Sequence, residues 1–309
     1  VNFTPARPSP ADVDRIVAAA LAEDAPWGDI TSQVLIPEEA HAEAVVVARE
    51  PGIFCGELVI EASMRLTDPR IRVTFSVRDG DEFDAGAALA AVSGPARSIL
   101  TAERVALNLA QRLSGIATLT GRFVAEVAGT GARVVDTRKT TPGLRVLERH
   151  AVRCGGGVNH RFSLSDAVMA KDNHLAVLTQ GGVIGLTEAL RAVRARLPHT
   201  VHFEVEVDRL DQIEPVLAAG VDTIMLDNFS LEDLASGVKQ VAGRALVEAS
   251  GNVRLESIGA IARTGVDIIS SGALTHSVQA LDLGLDIHID ALAREDGSGS
   301  TREITGSVR

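Results

Sequence analysis

"TIMLDNFSLEDLASGVKQVAGRALVEAS", residues 223–250, decides the fold. An apolar run of strand length ends in Asp227, the helical stretch "SLEDLASGVKQVA" follows, and a second apolar run ends in Ser250. The same unit recurs from Arg133 onward in the runs "ARVVDTRK", "DAVMAKDN", "VHFEVEVD", "TIMLDN", "ALVEAS" and "DIISSGA", with further helices such as "GVIGLTEALRAVRARL" between them. Short apolar runs alternating with helices are the signature of a parallel α/β domain. Each run ends in a residue with chemistry to offer: Lys139, Lys171, Glu206, Asp227, Ser250 and Ser271, the last four spaced by roughly 21 to 23 residues. This is a β/α-barrel rhythm, and in such barrels the active site lies at the carboxyl ends of the strands. About 145 residues hold these units, against roughly 250 in an eightfold barrel, so the expectation is an incomplete or smaller one.

Upstream, the pattern is different. Ser9 and Pro10 read as the cap and first position of a helix with Val13, Ile16, Val17, Ala20 and Leu21 along its apolar stripe. Strands are expected at "AEAVVVARE" and at "IRVTFSV", where Ile71, Val73, Phe75 and Val77 alternate with polar residues, and "RDGDEF" reads as a turn. "TAERVALNLAQRLSG" reads as a helix with Val105, Leu109 and Leu113 on one face and Arg104 on another, which is ordinarily a solvated position. The fold class is therefore α/β: an N-terminal α+β open sandwich over residues 1–113, joined by 275–290, then an incomplete β/α barrel over 114–274. Residues 291–309, polar and rich in Gly and Ser, read as a tail.

With 309 residues, 46% of them hydrophobic, the chain can bury a large core. No run of eighteen apolar residues spans a bilayer, and "VNFTPARPSP" lacks the order of a secretion signal, so the expected location is cytoplasmic. The formal net charge of -11 argues against a nucleic-acid or membrane-surface role. Cys55 and Cys154 are too few for a disulfide framework and lack metal-ligand spacing in sequence; both are expected to be reduced.

Against that acidic background, residues 136–161 gather Arg138, Lys139, Arg145, Arg149, Arg153 and Arg161, with His150 and His160. Arg145, Arg149 and Arg153 belong to a helix and suit ordinary ion pairs. Arg138, Lys139, Arg161 and Lys171 lie at strand ends, where guanidinium forks and ammonium groups suit an oligo-anion. Glu204 and Glu206 are two apart on one strand and share a face; Glu206 and Asp227 are candidates to face cations or a divalent metal, and Glu204 lies deeper. The turns at Ser250 and Gly251 and at Ser271 and Gly272 each follow a strand and precede an expected helix start, where backbone amides cradle phosphate. His276 is at most an indirect contributor.

The segments "LTAERVALN", "LSGIATLT", "DTRKTTPGLR", "CGGGVNHR", "KDNH", "EVEVD", "LDNF", "EASG" and "GALTHS", in this order from about residue 100 to 285, together with "EDAPWGDITS", resemble the quinolinate phosphoribosyltransferase family of NAD biosynthesis. The resemblance implies reaction of quinolinate with 5-phosphoribosyl 1-pyrophosphate to give nicotinate mononucleotide, pyrophosphate and carbon dioxide, with Mg2+. It implies that Arg138, His160, Arg161 and Lys171 line the quinolinate pocket and that Lys139 reaches the donor's pyrophosphate. It also implies that Arg104 enters the site of the neighbouring subunit of a homodimer with shared active sites. Glu206 and Asp227 would stabilise an oxocarbenium-like state and hold the metal, directly or through water, and Lys139 and Lys171 would be catalytic. The 5-phosphate would rest on Ser250, Gly251, Ser271 and Gly272. Three rivals stand beside this reading: transfer to a monocarboxylic ring such as nicotinate, a Schiff-base aldolase using Lys139 or Lys171, and a phosphate-sugar binding protein without turnover.

Overall fold

The computed structural model describes residues 7–180 and 185–290; the tail expected at 291–309 lies outside the described residues. By their contacts the described residues fall into two compact units, those of 1–118, 141–155 and 278–309 in one and those of 119–140 and 156–277 in the other.

The first unit begins with α1 (Pro10–Asp24), whose Ser9 side chain accepts the Asp12 amide as expected of a cap, and α2 (Ile30–Leu35). Then come β1 (His41–Ala48), β2 (Gly52–Ile53), α3 (Glu57–Thr67), β3 (Arg72–Phe75), β4 (Glu82–Phe83) and β5 (Ala88–Pro95). Helix α4 (Ala96–Glu126) continues far past the expected "TAERVALNLAQRLSG". Ser114 and Gly115 read as its end, but Gly115 serves a close approach instead: a Cβ there would lie 2.2 Å from the carbonyl oxygen of Gln279. The chain passes from one unit to the other within this helix, at Thr118. Helix α5 (Arg145–Cys154) and the last strand, β12 (Leu283–Asp290), complete the first unit, whose main sheet has the antiparallel order β12-β1-β5-β3. Along β1, Ala42, Ala44, Val46 and Ala48 are buried in alternation.

The second unit carries the parallel sheet that the repeating runs predict. Its elements are β6 (Arg133–Val135), β7 (Val168–Ala170), α6 (Asp172–Leu178), α7 (Leu186–Arg194), β8 (Phe203–Val207), α8 (Ile213–Leu217), β9 (Thr223–Asp227), α9 (Leu231–Val241), β10 (Leu246–Ser250), α10 (Leu255–Ala262), β11 (Ile268–Ser270) and α11 (Ala273–His276). The strand order is β6-β11-β10-β9-β8-β7, every pairing parallel. Among the described residues β6 and β7 do not pair with each other, so the barrel is incomplete.

Register fixes what this sheet presents. Phe203, Val205, Ile224, Leu226, Val247 and Ala249 are all buried, and Leu226 lies against Gly237 of α9, so these residues form the helix-covered face. Burying each large apolar side chain contributes about 1.5–3 kcal/mol. On the opposite face Met169 is paired with Glu204, Glu204 with Thr223, Glu206 with Met225, Met225 with Glu248, and Asp227 with Ser250. Because side chains alternate along a strand, the acidic residues of β8, β9 and β10 share one face, and a one-residue slip would bury the charges under the helices. Among the described residues no helix is long and apolar enough to cross a membrane.

Candidate active site

The strand ends hold the residues that the sequence singles out. Lys171 directly follows β7, Glu206 lies within β8, Asp227 and Ser250 are the last residues of β9 and β10, and Ser271 directly follows β11. Arg138 and Lys139 lie just beyond β6, and His160 and Arg161 follow the triple-glycine segment, whose Gly156 has φ +82. Twelve residues were singled out, and eleven of them belong to this one unit; Arg104 belongs to the other, exposed on α4.

His160 sits between two carboxylates. Its Nε2 lies 3.2 Å from Glu204 Oε2 and 3.4 Å from Glu248 Oε2, and both glutamate side chains are almost fully buried. Burial alone would disfavour a charged ring, but the bonds to Glu204 and Glu248 outweigh it and raise its pKa to about 10. The Arg161 amide approaches Nδ1 at 2.7 Å and needs a lone pair there, which works against the second ring proton and leaves the more firmly held one on Nε2, facing the carboxylates. Burial pushes the Glu204 carboxyl up and the neighbouring Glu248 charge adds to this, with His160 opposing both. Asp136, wholly buried, fixes the segment by accepting from the His160 amide at 2.8 Å and from Asn159 Nδ2 at 2.6 Å.

Arg161 donates from Nη1 to the Ala167 carbonyl at 3.0 Å and from Nη2 to Met169 Sδ at 3.7 Å, which ties it to the start of β7. Burial pushes its pKa down, and the Arg138 guanidinium nearby pushes the same way. Two guanidinium groups this close repel each other, and an anion between them would relieve the repulsion. Lys171 Nζ donates to Glu206 Oε2.

A cleft of about 630 Å3 opens beside these groups, lined by Asp172, Leu175, Glu206, Arg209, Asp227 and Asn228 among others. It takes in the carboxylate half of the predicted set; Arg138, His160 and Arg161 are not among its lining residues. At its edge Asn228, with φ 58, donates from Nδ2 to Asp227 Oδ2 at 2.6 Å and from its amide to the Ser250 carbonyl at 2.9 Å, while its Oδ1 accepts from Asn252 at 3.0 Å. Gly251 (φ +91) must be glycine twice over, because a Cβ there would also lie 2.2 Å from Asn228 Oδ1.

The second turn behaves differently from its twin. Ser271 gives its amide to the Val135 carbonyl at 3.1 Å and its hydroxyl to the Val253 carbonyl at 3.3 Å, so it ties strands together. The helix expected after it is the single turn α11. Gly272 lies under Lys139 and His276: a Cβ there would approach Lys139 Cδ at 2.8 Å and His276 Cδ2 at 2.9 Å. Thr275 also donates to the Lys139 carbonyl at 2.8 Å. Sequence reasoning missed Glu248, Asp136, Asn159 and Asn228. Glu248 had a signal available, since it stands two residues before Ser250 in "ALVEAS", the same alternation that pairs Glu204 with Glu206.

A parallel β/α sheet whose strand ends present cations, carboxylates and glycine turns suits an enzyme that acts on anionic substrates. The particular family follows from comparison. Residues 29–114 match the N-terminal domain and residues 116–286 the C-terminal domain of quinolinate phosphoribosyl transferase, and the chain belongs to that family. It is 43% identical over 265 residues to the probable nicotinate-nucleotide pyrophosphorylase [carboxylating] of Bacillus subtilis (strain 168), covering 86% of this chain and 90% of that one. It is 44% identical over 280 residues to the nicotinate-nucleotide pyrophosphorylase [carboxylating] of Mycobacterium leprae (strain TN), covering 88% and 95%. The solved nicotinate-nucleotide pyrophosphorylase of Francisella tularensis superposes with a TM-score of 0.84 at 40% identity, covering 93% of this chain and 99% of that one.

Proposed function

We infer that this chain transfers a phosphoribosyl group from 5-phosphoribosyl 1-pyrophosphate to quinolinate and releases pyrophosphate and carbon dioxide, forming nicotinate mononucleotide for NAD biosynthesis. The observation that carries this reading is that Arg138, His160, Arg161 and Lys171 belong to the same unit as Glu206 and Asp227, with Lys171 paired to Glu206 at the carboxyl end of the sheet. A dicarboxylate acceptor and a triply phosphorylated donor bring many negative charges, while the bond being broken develops a positive one.

In this reading Arg138 and Arg161 hold one quinolinate carboxylate in a bidentate manner and Lys171 the other, while His160 is held in place by Glu204 and Glu248. The pyridine nitrogen attacks the anomeric carbon as the bond to pyrophosphate breaks. Glu206 and Asp227 stabilise the oxocarbenium-like charge at that carbon. Lys139, held over Gly272, neutralises the departing pyrophosphate. The 5-phosphate rests on Ser250, Gly251 and Gly272, with Ser271 bracing the turn. Once alkylated, the ring nitrogen is cationic; the carbon-carboxylate bond breaks, carbon dioxide leaves, and the electron pair stays on the ring carbon, stabilised by the adjacent positive nitrogen until a proton takes the place of the carboxylate.

The oxygen donors in the cleft, Glu206 and Asp227 with Asp208 close by, fit Mg2+, which takes few protein ligands and keeps water. Each of the first two is anchored by a neighbour through one oxygen, Glu206 by Lys171 and Asp227 by Asn228. The ion would supply charge neutralisation on the phosphates of the donor. We further place Arg104 in the site of a second copy, making the homodimer the active unit; its exposure on α4 leaves the guanidinium available for this.

Calorimetric titration tests the acceptor. Quinolinate should bind at least tenfold more tightly than nicotinate, and Arg138→Ala or Arg161→Ala should abolish the difference. Equal affinity for the two acids would contradict the dicarboxylate assignment.

A further inference from the structure

The first unit contains a cluster that the transfer reaction does not use. Cys55, Asp79, His150 and Cys154 come from three stretches of chain, and one donor atom of each lies within 4.8 Å of the others. We propose that these four residues form a tetrahedral binding site for zinc or a similar thiophilic divalent metal.

Four observations carry the assignment. The donor set comprises two sulfurs, an imidazole nitrogen and a carboxylate oxygen, the mixture that zinc takes and that magnesium and calcium do not. His150 and Cys154 are one turn apart on α5 and so share a helix face. His150 Nε2 lies 2.9 Å from Asp79 Oδ2 and 3.6 Å from Cys154 Sγ. Metal bonds of about 2.0–2.3 Å in a tetrahedron put donors about 3.3–3.8 Å apart, so the cluster needs to adjust by less than about 1 Å at these two contacts.

The surroundings are organised as ligand supports are. Asp79 Oδ1 accepts from the amides of Gly56 at 2.8 Å and Glu57 at 3.0 Å, which leaves Oδ2 turned to the cluster. The Cys55 amide is held by Ser114 Oγ at 3.1 Å. The His150 and Asp79 side chains are only 8% and 3% exposed, and Cys55 is 1% exposed. Two thiolates and one carboxylate on a dication leave one net negative charge, and the Arg153 guanidinium, whose Nη2 lies 3.3 Å from His150 Nδ1, supplies a cation beside the cluster. Neither cysteine is in a disulfide.

The full chain, reduced with a phosphine and stripped with a chelator, is titrated with zinc and separately with cobalt(II). The expected result is one metal per chain, intense visible bands of tetrahedral cobalt with thiolate charge transfer, and zinc protection of Cys154 from alkylation. Cys154→Ser and His150→Gln should each weaken zinc at least tenfold, with folding checked by circular dichroism, whereas His160→Gln should not. The protection measurement uses the unmodified chain and so stands if a variant fails to fold. No stoichiometric zinc on verified free thiols, an octahedral cobalt spectrum, or binding that survives Cys154→Ser but is lost in His160→Gln would each overturn the proposal.

Discussion

Glu248 Oε2 lies 3.4 Å from Nε2 of His160, from a position on β10 two residues before the proposed phosphate turn. In the proposed function a single strand would therefore serve both ends of the substrate site, holding the ring of His160 with one residue and the 5-phosphate with another.

This pairing predicts a pH dependence. The pKa of His160 rises from 6.5 to about 10 on folding, so its contribution to stability is complete below about pH 6.5 and is lost as pH climbs towards 10. In Glu248→Gln the raised pKa should fall, moving that loss to lower pH. Histidine NMR titration checks it; an unchanged His160 midpoint would contradict the role given to Glu248.

Lys171 is half exposed in its pair with Glu206, and a solvent-exposed ion pair contributes little, about 0–1 kcal/mol. Lys171→Ala should therefore leave the melting temperature within a few degrees while raising the KM for quinolinate about tenfold or more. A large loss of stability with an unchanged KM would make the lysine structural.

Gly251→Ala should harm both fold and function. The positive φ and the clash with Asn228 predict a loss of more than about 1 kcal/mol, measured by denaturant unfolding. Because Asn228 also holds Asp227, the KM for the phosphoribosyl donor should rise more than that for quinolinate.

Arg104→Ala should be folded and inactive. Mixed with Arg138→Ala, it should regain up to about a quarter of parental activity through dimers with one intact composite site. Mixed dimers isolated with two tags and lacking activity would contradict a shared site.

How much of this was legible depended on whether the signal was local. The end of each apolar run named Lys171, Glu206, Asp227, Ser250 and Ser271 because strand termination and side-chain chemistry meet at the same residue. Glu248 was hidden inside an apolar run, and its partner His160 lies far away in sequence, joined to it only by strand register. Helix α4 runs on past the expected end at Gly115, because a glycine required by the Gln279 carbonyl looks the same in sequence as one that ends a helix. Cys55, Asp79 and His150 show no common spacing, since three separate segments meet there.

The most direct test of the account is release of labelled carbon dioxide from carboxyl-labelled quinolinate, with and without 5-phosphoribosyl 1-pyrophosphate and Mg2+. The predicted result is release that requires the donor and matches the nicotinate mononucleotide formed. No release, with product formed from nicotinate or another monocarboxylic acid instead, would contradict the assignment.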